Sequence, residues 1–148
     1  KFMLELWSMK KLLVIVVLSL LWQVNAHAFR SVIGKGEIKL SEKVVSYFIK
    51  YLELKESVTF IVSKNGKYAN YSTCYSLAWS ERGCTGGSGA TFSMIKRCKK
   101  DTKDECYIFA KRKKNKKIIR WNEVGYEFDV QQKDRDYIIK VLKDLNFY

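Results

Sequence analysis

The sequence predicts an α+β fold in the order α-ββ-α-ββ-α, with a small antiparallel sheet, flanking helices and two disulfides. Apolar residues recur at helical spacing in three separate stretches. Two pairs of short runs rich in β-branched and aromatic residues lie between these stretches, as expected of hairpins. Because the 148 residues contain no proline, repeat or low-complexity tract that would mark a linker, a single domain is expected.

The first 28 residues are predicted to be a secretory signal peptide. Lys10 and Lys11 form a basic start, and residues 12–22 form an apolar run in which only Ser19 is polar. Small residues then offer cleavage after Ala26 or after Ala28. Since a membrane span needs about 20 apolar residues, the run favours a cleaved signal over an uncleaved anchor. The protein is therefore expected to be exported, to a periplasm or to the exterior.

The chain begins with Lys1, and residues 1–8 are interpreted as read-through upstream of a start at Met9. Cleavage would leave residues 29–148 as one disulfide-stapled domain, with a formal net charge of +11 against +13 for the whole chain. So basic a domain favours anionic partners such as nucleic acid, lipid head groups or acidic polysaccharide. Charge spread over the surface for solubility is the simpler alternative.

The four cysteines of this exported domain predict two structural disulfides. Three connectivities are open, and proximity along the chain favours Cys74–Cys84 and Cys98–Cys106. Each bond would close a loop of about ten residues and contribute roughly 2–3 kcal/mol. Zinc is disfavoured because the cysteines are not closely paired and the single histidine, His27, lies at the signal cleavage site. No cofactor or metal is expected.

The first half of the domain is predicted to be an arm, a helix and a hairpin. Residues 29–39 form the arm, and Ser41 caps a helix over residues 42–54. A strand over residues 58–63 is followed by Asn65-Gly66, which predicts a two-residue type I′ turn. That turn sets three facing pairs on the apolar side: Val62 with Ala69, Phe60 with Tyr71, and Val58 with Thr73.

The second half repeats the pattern after a loop over residues 75–89. A helix is predicted over residues 90–100, and strands over residues 106–111 and 117–121. The segment from 122 to 133 is polar and is expected to be irregular. Asp134 or Asp136 is then expected to cap the N-terminus of a last helix. Asn146 is expected to end this helix in a left-handed conformation, so that Phe147 folds back on the final turn.

Several motifs resemble a class of uncharacterised small secreted or periplasmic bacterial proteins with a four-cysteine hairpin-helix-hairpin core. They are Asn65-Gly66-Lys67 leading to Cys74, Ile95-Lys96-Arg97-Cys98, Cys106-Tyr107-Ile108-Phe109-Ala110 and Ile118-Ile119-Arg120-Trp121. The stretches at 36–41 and 145–148 are also similar. The resemblance implies a structural framework and an exported location. It transfers no activity and no catalytic residue.

Two stretches are candidates for binding. The segment 111–117 carries six cations that would make a salt-sensitive anion site, namely Lys111, Arg112, Lys113, Lys114, Lys116 and Lys117. A solvated hairpin tip is the alternative. The glycine-rich segment 83–89 precedes a helix and could cradle an anion, but it lacks P-loop spacing, so a loop beside a disulfide is favoured. Tyr68, Tyr71, Tyr75 and Trp79 are candidates for stacking on bases or sugars, but Tyr71 belongs to the predicted core face, and packing beside the disulfides is the favoured role of these aromatic residues.

No catalytic residue is predicted. Without a usable histidine there is no Ser-His or Cys-His pair. A carboxylate pair remains, drawn from Asp101, Asp104, Glu105, Glu123, Glu127 and Asp129, but these acids lie in lysine-rich segments that would lower their pKa values. The leading hypothesis is an exported, non-enzymatic module of unspecified role, periplasmic or secreted, that acts as a binding or envelope-associated protein, with an anionic envelope component as one candidate partner. The alternatives are a cationic binder of nucleic acid or lipopolysaccharide through residues 111–117, and a small carboxylate-pair hydrolase.

Overall fold

The computed structural model describes residues 32–74 and 88–148, and Ile33–Tyr148 form one compact unit. Its α-helices are α1 (Glu42–Glu53), α2 (Ser88–Thr102) and α3 (Arg135–Asp144). Its strands are β1 (Ser57–Ser63), β2 (Ala69–Thr73), β3 (Cys106–Lys113), β4 (Lys116–Ile119) and β5 (Glu127–Asp129), with a 3₁₀ turn at Trp121–Glu123. The α+β class is therefore confirmed. In the described part of the chain, no helix is both long and apolar enough to cross a membrane.

The five strands form one antiparallel sheet in the order β2-β1-β3-β4-β5. Phe60 and Val62 of β1 belong to the main core cluster together with buried residues of α1 and α3. Ile61 is fully buried but lies outside that cluster, because successive side chains of a strand point to opposite faces. On that second face α2 contacts β1, β2 and β3. The sheet is thus covered on both faces, and every residue of β1 is buried.

The predicted register of the first hairpin is confirmed for two pairs, Val62 with Ala69 and Phe60 with Tyr71. The third pair was wrong: Ser57, rather than Val58, lies opposite Thr73, because a bulge between Ser57 and Thr59 shifts the register by one residue.

The turn type of this hairpin was also wrong. A type I′ turn needs positive φ at both central residues, whereas Gly66 has a φ of +69° and Asn65 is not among the residues with positive φ. The Ser63 carbonyl accepts a bond from the Gly66 N–H, and the Ser63 N–H donates to the Tyr68 carbonyl, each at 2.9 Å. The loop is thus four residues long and keeps the same strand alignment.

The segment after Trp121 was predicted to be irregular, but part of it is ordered as a strand. It contains the short strand β5, which pairs with β4 and places Phe128 in the core. A strand of three residues with a single apolar member is too short to show a period of two, which is why the sequence pattern missed it.

The predicted caps of α1 and α3 are confirmed, whereas α2 extends two residues beyond its predicted bounds of 90 and 100 at each end. The Ser41 side chain caps α1, and the Asp134 carboxylate accepts from the Tyr137 N–H at 2.9 Å, which selects Asp134 over Asp136 as the N-cap of α3. Asn146 has a φ of +61°, and Phe147 is buried against the core.

Cys98 and Cys106 form the predicted disulfide, with Cα atoms 6.1 Å apart. This bond joins α2 to the start of β3, and both cysteines are buried. Cys84 lies outside the described residues, so the Cys74–Cys84 pairing stays a prediction.

Candidate functional site

The predicted basic segment is a strand hairpin whose cations have different surroundings. Only Lys114 and Asn115 form the turn, and Lys113 pairs with Lys116 across it. Lys113 and Lys114 are exposed. Lys116 is also exposed, but its ammonium lies 2.6 Å from the Asp129 carboxylate, which raises the pKa of this lysine through a hydrogen bond. Part of the positive charge is therefore compensated within the fold.

Lys117 does not contribute to a surface anion site, which corrects the sequence prediction. Its side chain is fully buried, and its Nζ donates to the carbonyls of Tyr51 at 2.5 Å, Leu52 at 3.1 Å and Leu54 at 2.6 Å. These carbonyls lie at the C-terminal end of α1, where helix peptides leave acceptors unpaired and the macrodipole favours a cation. Lys117 thus caps α1 from a neighbouring strand.

The buried position of Lys117 also changes the pKa of its amino group. Burial lowers the pKa of Lys117 to about 7, the Arg112 guanidinium contributes in the same direction, and the Glu56 carboxylate opposes both. The Nζ also lies 4.8 Å from the centroid of the Tyr51 ring. Tyr51 is itself buried, and burial raises the pKa of its hydroxyl, which donates to the Val58 carbonyl at 3.2 Å.

Arg112 and Lys111 are only partly exposed. The Arg112 guanidinium donates to the Lys55 carbonyl and, through Nε, to the Lys114 carbonyl at 2.9 Å. Burial is the main cause that lowers the pKa values of both Arg112 and Lys111. Of the six predicted anion-binding residues, Lys113 and Lys114 are therefore the ones that project from the turn as exposed cations.

The carboxylates considered for catalysis lie on the surface rather than together in a cleft. Glu105 accepts from Lys99 at 2.8 Å, and this hydrogen bond lowers the pKa of Glu105, opposite to what a general acid needs. Asp129 pairs with Lys116, and Glu123 lies 3.8 Å from Lys35. Within residues 32–74 and 88–148, no group of three or more His, Cys, Asp or Glu residues could hold a metal ion. These positions therefore lend no support to the hydrolase hypothesis.

The glycine-rich segment and the four aromatic residues predicted to bind a ligand lie in different parts of the chain. Residues 83–87 of the glycine-rich segment, as well as Tyr75 and Trp79, lie outside the described residues. Tyr71 packs against the core cluster, with its ring 6.5 Å from that of Phe60. Tyr68 lines a surface groove.

This groove, of about 240 Å³, lies between α1 and the start of β2. It is lined by Lys43, Val44, Tyr47, Lys67, Tyr68, Ala69 and Asn70. A second, more open depression shares Lys43 and Tyr47 and continues over α1 to Glu42, Ser46 and Lys50. We call these two the α1–β2 groove and the α1 depression. Together they bring three lysines and two tyrosines onto one surface.

Sequence patterns missed this site because its two walls are distant along the chain. One signal was available: Tyr47 lies off the buried stripe of α1 and is 39% exposed. Its ring packs 5.4 Å from that of Tyr71, and the Lys50 ammonium lies 6.0 Å from its centroid. An aromatic residue outside the apolar stripe of a helix is thus the local indication of a surface site.

Comparison with protein-family models, with curated proteins and with solved structures finds no match for this chain. The resemblance to small exported bacterial proteins therefore stays a prediction, and a function has to be argued from the surface itself.

Proposed function

We propose that the protein is an exported, non-enzymatic binding module whose partner is an anionic component of the cell envelope. The observation that carries this proposal is the distribution of exposed cations over several elements. They include Lys96, Arg97, Lys99 and Lys100 on α2, Lys113 and Lys114 at the hairpin turn, and Lys43 and Lys67 beside the α1–β2 groove. Such a distribution creates a positive field that attracts polyanions.

Export is supported by two independent features. The Cys98–Cys106 disulfide is typical of proteins that mature in an oxidising compartment. The sequence of residues 1–28 has the order of a secretory signal. N-terminal sequencing of the protein recovered from outside the cytoplasm should begin at His27 or at Phe29. A mature protein that retains residues 10–22 would contradict export through a cleaved signal.

Retention on immobilised heparin, compared with uncharged agarose, tests the binding function. We expect retention at roughly 0.15 M NaCl and a binding constant that falls steeply with added salt, because each neutralised anion releases counterions. Elution with the void volume at this salt concentration would refute the proposal. Shortening of the heparin chains during the incubation would instead favour the hydrolase.

The basic hairpin remains a second candidate surface, because Lys113 and Lys114 project from its turn. A variant carrying Lys113→Gln and Lys114→Asn tests it. Asn is chosen at position 114 because Lys114 has a φ of +53°, a conformation that Asn tolerates well. Loss of most heparin retention in this variant would assign binding to the hairpin turn.

A further inference from the structure

We propose that the α1–β2 groove binds one acidic sugar unit of an anionic polysaccharide and that the α1 depression receives the next unit. This inference rests on the proposed function and specifies where and what the module binds. It is carried by four features of the surface: its charge, its chemistry, its size and its rigidity.

The charge of the groove comes from both of its walls. Lys43 lies on α1 and Lys67 lies at the end of the β1–β2 loop, and both side chains are exposed. Neither lysine forms an ion pair with another residue in the described part of the chain. Glu42 is the one acid along the α1–β2 groove and the α1 depression, and it belongs to the depression. An anionic group between the two walls would therefore meet cations from two directions.

The remaining groups that line the groove suit a sugar. Ala69 supplies apolar surface for the C–H face of a sugar ring, whereas Val44 is buried in the core. Tyr47 and Tyr68 supply hydroxyls that both donate and accept.

The dimensions favour a polymer bound one unit at a time. A volume of about 240 Å³ is below that of most pockets for drug-sized ligands, so the groove suits a single ring. Lys43 and Tyr47 line both the groove and the α1 depression, so the two sites are continuous. Lys43, Tyr47 and Lys50 follow each other at helical spacing along one face of α1, so a chain that crosses Tyr47 next meets Lys50.

The Tyr47 ring also distinguishes sugar from nucleic acid. Base stacking needs an open aromatic face. The Tyr47 ring is 39% exposed, with the Tyr71 ring packed at 5.4 Å and the Lys50 ammonium 6.0 Å from its centroid. Hydroxyl and edge contacts are thus easier to make than stacking. The disulfide also indicates an oxidising compartment, where envelope polysaccharides are abundant.

The two walls are fixed to each other by the backbone. The Ser41 N–H donates to the Gly66 carbonyl at 2.9 Å, which ties the start of α1 to the loop that ends in Lys67. A side chain at position 66 would lie 1.9 Å from the Lys39 carbonyl oxygen, so glycine is needed for this close approach. Binding at such a preformed groove requires little ordering of the protein.

The test measures binding of a fluorescently labelled heparin hexasaccharide by anisotropy at constant salt. The groove variant carries Lys43→Gln and Lys67→Gln, and Lys133→Gln with Lys140→Gln is the matched control, which removes the same charge from two exposed lysines outside both candidate surfaces. We expect the groove variant to bind about tenfold more weakly and the control to change less than about threefold. Tyr47→Leu, which changes no charge, should also weaken binding several-fold.

The outcomes separate this inference from the proposed function. If the two charge variants lose the same affinity, binding is diffuse and the groove proposal is refuted while the module function stands. If the unmodified protein does not bind the hexasaccharide or immobilised heparin, the proposed function itself fails. If a labelled oligothymidylate binds more tightly than the hexasaccharide and depends on Lys43 and Lys67, the ligand is nucleic acid and the saccharide assignment is overturned.

NMR gives a readout that does not depend on the variants. The backbone amide signals of Lys67 and Asn70 should shift on addition of the unlabelled hexasaccharide, because both residues line the groove. Shifts confined to the amides of residues 113–116 would place the ligand on the hairpin turn and overturn the proposal.

Discussion

Replacing Lys117 by methionine should destabilise the protein at alkaline pH, because the buried amino group of this lysine caps α1. Methionine keeps the length and flexibility of the aliphatic stem but removes the nitrogen and its donors. The bonds lost are those to the carbonyls of Tyr51, Leu52 and Leu54, at 2.5 to 3.1 Å.

The size of the change follows from the uncharged amine, because burial lowers the pKa of Lys117 to about 7 and the group is neutral in the folded protein at pH 10. Hydrogen bonds between neutral groups contribute about 0.5–1.5 kcal/mol each, and a buried carbonyl left without a donor costs about 1–3 kcal/mol. Ser57 still serves two of the three carbonyls in the variant, since its hydroxyl bonds to Tyr51 and its N–H donates to Leu54 at 3.2 Å. We expect a net loss of about 2–4 kcal/mol in the free energy of unfolding at pH 10.

Urea unfolding at pH 10, where Lys117 is neutral in the folded protein, measures this change. With a slope of about 1–3 kcal/mol per molar urea, a loss of about 2–4 kcal/mol should lower the midpoint by roughly 0.7–4 M. Lys113→Met is the matched control, because Lys113 is exposed on the same hairpin, and it should change stability by less than about 0.5 kcal/mol. A Lys117→Met variant as stable as the unmodified protein at pH 10 would refute the reasoning, since the capping bonds would then add no net stability.

The pKa of Lys117 and the position of Gly66 give two further predictions. Between pH 7 and roughly 10.4, the ordinary lysine pKa, the unfolded state binds more protons than the folded state, so the free energy of unfolding should rise with pH. Lys117→Met should lack this rise. If the free energy of unfolding of the two proteins, measured in urea, changed in parallel between pH 6 and 10, this prediction would be wrong. Gly66→Ala should destabilise by about 2 kcal/mol or more in thermal unfolding, because the new Cβ meets the Lys39 carbonyl oxygen at a φ of +69°. Gly89→Ala, in an exposed part of α2 with nothing within 4 Å, should stabilise by roughly 0.5–1 kcal/mol, and equal melting temperatures of the two variants would exclude the steric argument.

The helix ends and much of the first hairpin could be predicted because their signals are local. Ser41 and Asp134 bond to N–H groups within three residues, and Asn146 ends α3 through its own backbone conformation. The bulge beside Ser57 and the strand β5 could not be predicted, since both depend on what lies across the sheet.

The candidate sites depend even more on contacts between distant parts of the chain, which local sequence patterns do not show. Six cations in seven residues indicate a solvated surface, and nothing local marks Lys117 as the exception. It is buried because β4 places it beside the end of α1, whose carbonyls come from residues more than 60 positions earlier. Lys43 and Lys67 likewise belong to separate elements that only the fold brings together.

The sequence by itself determined the α+β class, the order of the main helices and hairpins and the strongly basic character, and it favoured the Cys98–Cys106 bond that the structure contains. These properties follow from periodicity, capping and composition, which act over a few residues. The tertiary structure alone decided which lysines serve as structural donors and which remain exposed to a ligand. Burial and hydrogen-bond geometry are set by residues far apart in the chain, and they decide whether a cation caps a helix or faces an anionic partner.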